Sequence, residues 1–139
     1  KIMNNKSRKA KGRILQTELL ECRITGFKTI EATFRDVIYK GCKGEMAQFR
    51  MSGFKNARFD ECKLDGGDFH GADLPGVLFA DCNLDNTQFS HTNLKGVDFS
   101  SSSIDGIHIN PESIDGIVVE PYQAARLSEY LGLIVKWDE

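Results

Sequence analysis

The chain lacks any apolar run approaching the roughly 18 residues of a membrane-spanning helix. No signal-peptide pattern opens it at Lys1, so the expectation is a soluble, cytoplasmic protein. Catalytic signatures are missing too: there is no Ser-His-Asp order, no Gly-rich phosphate loop and no HExxH. His70, His91 and His108 are the only imidazoles, and no third ligand is arranged around the first two. The four cysteines include no close C-x₂-C pair, which argues against zinc. No enzyme, cofactor or metal is expected.

Nor is there a large net charge, which is −2 over 139 residues, room for one domain. The two halves nevertheless differ sharply. Residues 1–60 carry 14 Lys/Arg against 6 Asp/Glu, giving +8, and residues 61–139 carry 4 against 14, giving −10. Such asymmetry bears on partners and not on fold. Residues 1–13 are basic, without interleaved aromatics or a recognisable motif. They read as a disordered tail, and direct nucleic-acid binding is not expected.

What the chain does have is a period. From Phe59 every fifth residue is large and apolar: Phe59, Leu64, Phe69, Leu74, Phe79, Leu84, Phe89, Leu94, Phe99, Ile104 and Ile109. A small or slim residue precedes each of these up to Ile104 by two, such as Cys62 before Leu64 and Cys82 before Leu84. Neither the helix period nor the strand period gives five, and a fixed repeat signals stacked units. The phase extends back to Leu19, with Thr29 and Gly44 as gaps, and eight of nine phenylalanines fall on it. Phe27 is the exception, in a slot otherwise small, where it can cap the open end. Met46 and Met51 suit irregular gaps of this kind. The first two coils are expected to be less regular than the rest.

The cysteines, at 22, 42, 62 and 82, set a second period of twenty. Four units then make one coil, with the thiols in one column and residues such as Tyr39, Phe59, Phe79 and Phe99 in another. Disulfides between stacked neighbours fit the distance window. A buried cysteine also serves as a small hydrophobe, and reduced structural thiols are the reading adopted.

Units such as GADLP, NTQFS, HTNLK and GVDFS resemble the pentapeptide-repeat family. The resemblance implies a right-handed, four-sided parallel β-helix over 14–119, of about five coils. At roughly 4.8 Å per coil these make a rod on the order of 24 Å long. The ending EPYQAARLSEYLGLIVKW resembles the C-terminal segment of quinolone-resistance and related gyrase-interacting members. There the last helix caps the coil and joins two subunits. Pro121 suits a helix start; Ala124, Leu127 and Leu131 form an apolar face; Gly132 ends it; and 133–137 reads as a short strand. Residues 120–139 are thus a cap and dimer segment, with Leu127, Tyr130, Leu131, Leu133 and Trp137 as the candidate interface of a homodimer.

One outward column reads Glu45, Asp65, Asp85, Asp105, with Glu61 and Asp81 at the adjoining corner. Stacked like charges repel by about 1 kcal/mol per pair in water, and Arg23, Lys43 and Lys63 on the same side neutralise part of the column. One reading is a solvated, variable face, on which replacing Asp85 by Ser costs almost nothing. The other is an acidic stripe for a DNA-binding protein, since the gyrase-binding relatives are thought to mimic duplex DNA. The resemblance points to a non-catalytic scaffold for DNA gyrase or topoisomerase IV. The alternative is a module for an unrelated protein.

Overall fold

A computed structural model describes residues 9–10, 13–29 and 31–138. The inward side chains dictate the fold. At each repeat from Leu19 to Ile104 the central residue and the residue two before it are buried, and the other three positions face outward. After each central residue the chain turns, and at many of these corners the central carbonyl accepts from the N–H three residues on, as in Gly67 N to Leu64 O at 3.0 Å and Ala72 N to Phe69 O at 3.0 Å. The residue two after the centre has positive φ at every repeat from Gln16 to Gly116 except Ser101 and Pro111. A left-handed residue at that position turns the chain from one side to the next, and four corners close a coil.

Coils pair in parallel with a register of twenty. One ladder runs Arg23–Lys43–Lys63–Asn83–Ser103 and another Lys28–Gln48–Asp68–Gln88–His108. Longer strands form where two sides run together, in β2 (Arg13–Leu20) and β4 (Thr33–Lys40). β4 pairs with β2, with β5 (Gly53–Lys55) and with β6 (Arg58–Asp60), which pairs with β7 (Leu78–Ala80). The shift of twenty already holds at Arg13, so the first coils keep the register of the later ones. Before them, β1 (Lys9–Ala10) pairs with β3 (Lys28–Thr29) at a shift of nineteen. Pairing thus reaches into the expected tail, the rest of which, 1–8 and 11–12, lies outside the described residues.

Two aromatic columns fill the interior. Phe59, Phe79 and Phe99 stack with centroids 5.0 and 5.7 Å apart, and Phe49, Phe69 and Phe89 at 5.0 and 5.3 Å. Across the core the columns meet edge-on, Phe59 to Phe69 at 89°, the arrangement ring quadrupoles favour. Numbering the sides of one coil as 61–65, 66–70, 71–75 and 76–80, Leu64 and, one coil on, Leu84 line the first side, and Leu74 and Leu94 the third. Each buried Phe or Leu contributes roughly 1.5–3 kcal/mol.

The expected gaps are closed. A Cβ on Gly44 would stand 2.9 Å from Ile24 Cγ1 and 3.0 Å from Leu64 Cδ2, so the neighbouring coils already occupy that space. Thr29 is buried, and its hydroxyl lies 3.3 Å from Gln48 O and 3.4 Å from Ser52 Oγ. Phe27 is buried against Phe49, centroid to centroid 6.4 Å. Met46 and Met51 fill no gap; both are exposed, lying across Gly66 and Gly71 of the next coil. A Cβ at Gly66, where φ is +71°, would fall 2.5 Å from the Met46 sulfur.

A 3₁₀ turn, Pro111–Ile114, interrupts the repeat, and the helix α1 (Pro121–Tyr130) closes the stack. Glu120 and Gln123 form a reciprocal capping box at its start. Gly132 N to Glu129 O and Leu133 N to Ser128 O, each 3.0 Å, form a Schellman-type end. The face against the coil is Gln123 and Leu127, while Ala124 and Leu131 are exposed. Residues 133–137 are not a strand. The helix already covers the coil end that a strand would pair with, and the tail returns over α1, with Trp137 5.6 Å from Tyr122.

Candidate protein-interaction face

The first side presents two outward ladders flanking Ile24, Gly44, Leu64, Leu84 and Ile104. One is Arg23–Lys43–Lys63–Asn83–Ser103. The other, one residue after the central positions, holds Glu45, Asp65, Asp85 and Asp105. Glu61 and Asp81 stand exposed at the preceding corner with φ of 51° and 54°. The sequence-predicted acidic residues therefore share one face. Cations accompany them only through Lys63. Above it Asn83 and Ser103 replace the cation, and Asp81, Asp85 and Asp105 continue without one on that ladder.

The carboxylates are not equivalent. Asp85 Oδ1 accepts from the Asp105 N–H at 2.9 Å and from the Ser103 hydroxyl, which ties it to the coil above. Glu45 receives a hydrogen bond from the Thr25 hydroxyl at 3.4 Å. Asp105 is exposed, and Asp65 and Asp85 half-buried.

The cysteine column lies inside. All four cysteines lie outside any disulfide and are buried. Cys42, Cys62 and Cys82 donate to the carbonyls of Leu19, Tyr39 and Phe59 at 3.1, 3.4 and 3.3 Å. Hydrogen bonds that the Cys62 thiol donates to Cys42 and Cys82, together with burial, push it well up, and burial does the same to Tyr39.

At the C-terminal end Tyr130, Leu131, Leu133 and Trp137 are exposed, as is Ile134, which is 98% accessible. Leu127 departs from the expected interface; it is 6% exposed and packs in the core. Its spacing fitted either role, and the coil claims it because the last apolar layer needs a cover. Tyr130 is anchored through its hydroxyl, which accepts from Gly106 N at 2.8 Å. The role of Gln123 escaped the sequence reading, although Glu120-x-x-Gln123 is a capping-box spacing. Between α1 and the last coil lies a shallow cleft of about 250 Å³, bordered by Ser100, Tyr122 and Arg126. Among the described residues no three His, Cys, Asp or Glu side chains converge as metal ligands. No helix there is long and apolar enough to cross a membrane.

Known proteins add to this picture. No curated protein matches the chain. Among solved structures, the pentapeptide repeat protein Rfr23 from the cyanobacterium Cyanothece 51142 aligns with a TM-score of 0.61 at 13% identity. That alignment covers 83% of this chain and 90% of Rfr23. A trypsin-treated form of QnrB1, a plasmid-mediated fluoroquinolone resistance protein, aligns over 97% of this chain and 99% of its own, at 20% identity and a TM-score of 0.43. The family model described as pentapeptide repeat region matches residues 52–120. With the same five-residue register continuing on both sides of that match, the chain is a pentapeptide-repeat protein.

Proposed function

We propose that this protein is a non-catalytic scaffold whose acidic first side docks a protein that ordinarily binds DNA. A type II topoisomerase, DNA gyrase or topoisomerase IV, is the leading target. The observation that carries this reading is the change along the first side above Lys63, where the cation ladder turns neutral while Asp81, Asp85 and Asp105 persist. A surface built to hold phosphates would meet carboxylates there with no cation on the adjoining ladder.

Magnitudes limit the strength of the interaction. Duplex DNA carries one charge per about 1.7 Å of axis, whereas this column offers one per coil, about 4.8 Å. Binding is therefore weak and sensitive to salt, since exposed charges are screened over about 8 Å at physiological ionic strength. The exposed apolar residues of the C-terminal tail belong to the same proposal. They form the interface of a two-fold dimer, which places two acidic halves side by side and the basic ends outermost.

A pull-down with purified gyrase tests the proposal. The wild-type chain should retain gyrase at low salt, and a variant with Asp65, Asp85 and Asp105 replaced by Asn should not. Equal retention by both would overturn the acidic-face reading and leave a module for another partner.

A further inference from the structure

The corner between the second and third sides carries a group that the acidic face does not use. His70 and His91 lie on successive coils with ring centroids 5.4 Å apart and planes at 79°. Their meeting follows from register: His91 stands one coil above Gly71, the neighbour of His70, and Gly71 has no side chain to intervene. The two coils are joined there by Gly71 N to Ser90 O at 3.1 Å.

Side chains pin both backbones. Asp68 Oδ1 accepts from the His70 N–H at 2.9 Å, and Asn110 Oδ1 from the His91 N–H at 2.8 Å. Asn110 is itself held by the Ser113 hydroxyl at 2.7 Å and bonds to Glu112. The Glu112 carboxylate lies within electrostatic reach of His91. Asp68 also pairs with Arg50 at 3.5 Å, so the local charges are two carboxylates and one guanidinium.

We propose that His70 and His91 form a two-imidazole binding site for a divalent zinc-class metal ion, with water completing its shell. Imidazole suits zinc, and a Zn–N bond of about 2.0–2.1 Å puts each ring centroid roughly 3.2 Å from the ion. At a tetrahedral angle two such rings have centroids about 5.2 Å apart, against the 5.4 Å seen here. Binding then requires the rings to turn about their side-chain torsions so that a nitrogen of each faces one ion. Because the two histidines come from successive coils, the ion clamps one coil to the next.

Titrating the full chain with zinc chloride while following the imidazole C–H resonances tests the site. His108, on the outward Gln88–His108 ladder, is the internal control. The His70 and His91 signals should move together while His108 stays, and the melting temperature should rise, as it does for any ligand of the native state. In His70→Gln and in His91→Gln, zinc affinity should fall by at least about tenfold. No movement of the pair, equal movement of all three histidines, or unchanged zinc affinity in either variant would overturn the proposal.

Discussion

The side-chain amide of Gln123 donates to the carbonyl of Phe99 at 2.8 Å, and to that of Ser102 at 2.7 Å. In the coils below, the corresponding carbonyls of Tyr39, Phe59 and Phe79 are taken by Cys62, Cys82 and Ser102 of the following coil. Where the coils stop, the helix supplies the missing donor. Replacing Gln123 by Leu keeps bulk but removes both bonds. Phe99 O keeps the Ser102 N–H at 3.0 Å, while the Ser102 carbonyl loses this donor, at about 1–3 kcal/mol for an unsatisfied group. Thermal unfolding should show a loss of several degrees, at roughly 4 °C per kcal/mol for a chain of this size. An unchanged melting temperature would mean that the cap does not depend on this amide.

Replacing Phe79 by Ala should cost about 3–5 kcal/mol, because its ring stacks between Phe59 and Phe99 and meets Phe69 and Phe89 edge-on. Asp105→Ser, on an exposed residue, should stay within about 0.5 kcal/mol of wild type. Asp85→Ser falls between them, at about 1 kcal/mol, since its carboxylate ties Ser103 and Asp105 to its own coil. Denaturant midpoints for the three variants give this order directly. Equal midpoints for Phe79→Ala and Asp105→Ser would contradict the inward and outward assignment.

The thiols give a third check. Cys42, Cys62 and Cys82 should label slowly with a thiol reagent in the folded chain and quickly once it is unfolded, because all three are buried. Their burial also sets a pH dependence. The folded Cys62 and Tyr39 groups hold their protons to higher pH than in the unfolded chain. Stability from them is full below the unfolded thiol value near 8.5 and declines as pH rises past it, with Tyr39 adding to the decline above about 10. Cys42, lowered to about 7, and Cys82, also lowered, shift the other way through their hydrogen bonds with Cys62. They offset its effect up to about pH 9, so the decline in melting temperature should be read above about pH 10, where Tyr39 adds to it. Melting temperatures that rise above about pH 10 would contradict the buried column.

Much of this was legible in the residues. The five-residue spacing from Phe59 onward and the twenty-residue cysteine spacing name the inward residues and the coil length, because the period is imposed by stacking and recurs in every coil. The misreadings lie where one residue's neighbours, and not the period, decide its place. Gly44 looked like a gap until Ile24 and Leu64 were seen to fill it. Met46 and Met51 looked like filler for that gap, yet they lie outside over glycines. Leu127 satisfied an interface pattern and a cap pattern equally, and only the coil end separates them. The acidic column was legible as a column; that Asp85 spends its carboxylate on the next coil was not, since the donors are a serine hydroxyl and a backbone amide.

The C-terminal patch predicts association. Ile134, Leu133 and Trp137 are exposed among the described residues, and pairing them about a two-fold axis removes that surface from water. Light scattering across a range of concentrations should give the dimer mass, and replacing Leu133 and Ile134 by Asp should give the monomer without loss of fold by circular dichroism. A monomer mass for the wild type at every concentration would remove the dimer.

A gyrase supercoiling assay at two salt concentrations tests the acidic-face account most directly. The wild-type chain should inhibit weakly at low salt and less at high salt, and the variant with Asp65, Asp85 and Asp105 replaced by Asn should lose inhibition at both. Inhibition by that variant as strong as by the wild type, or inhibition that ignores salt, would contradict it.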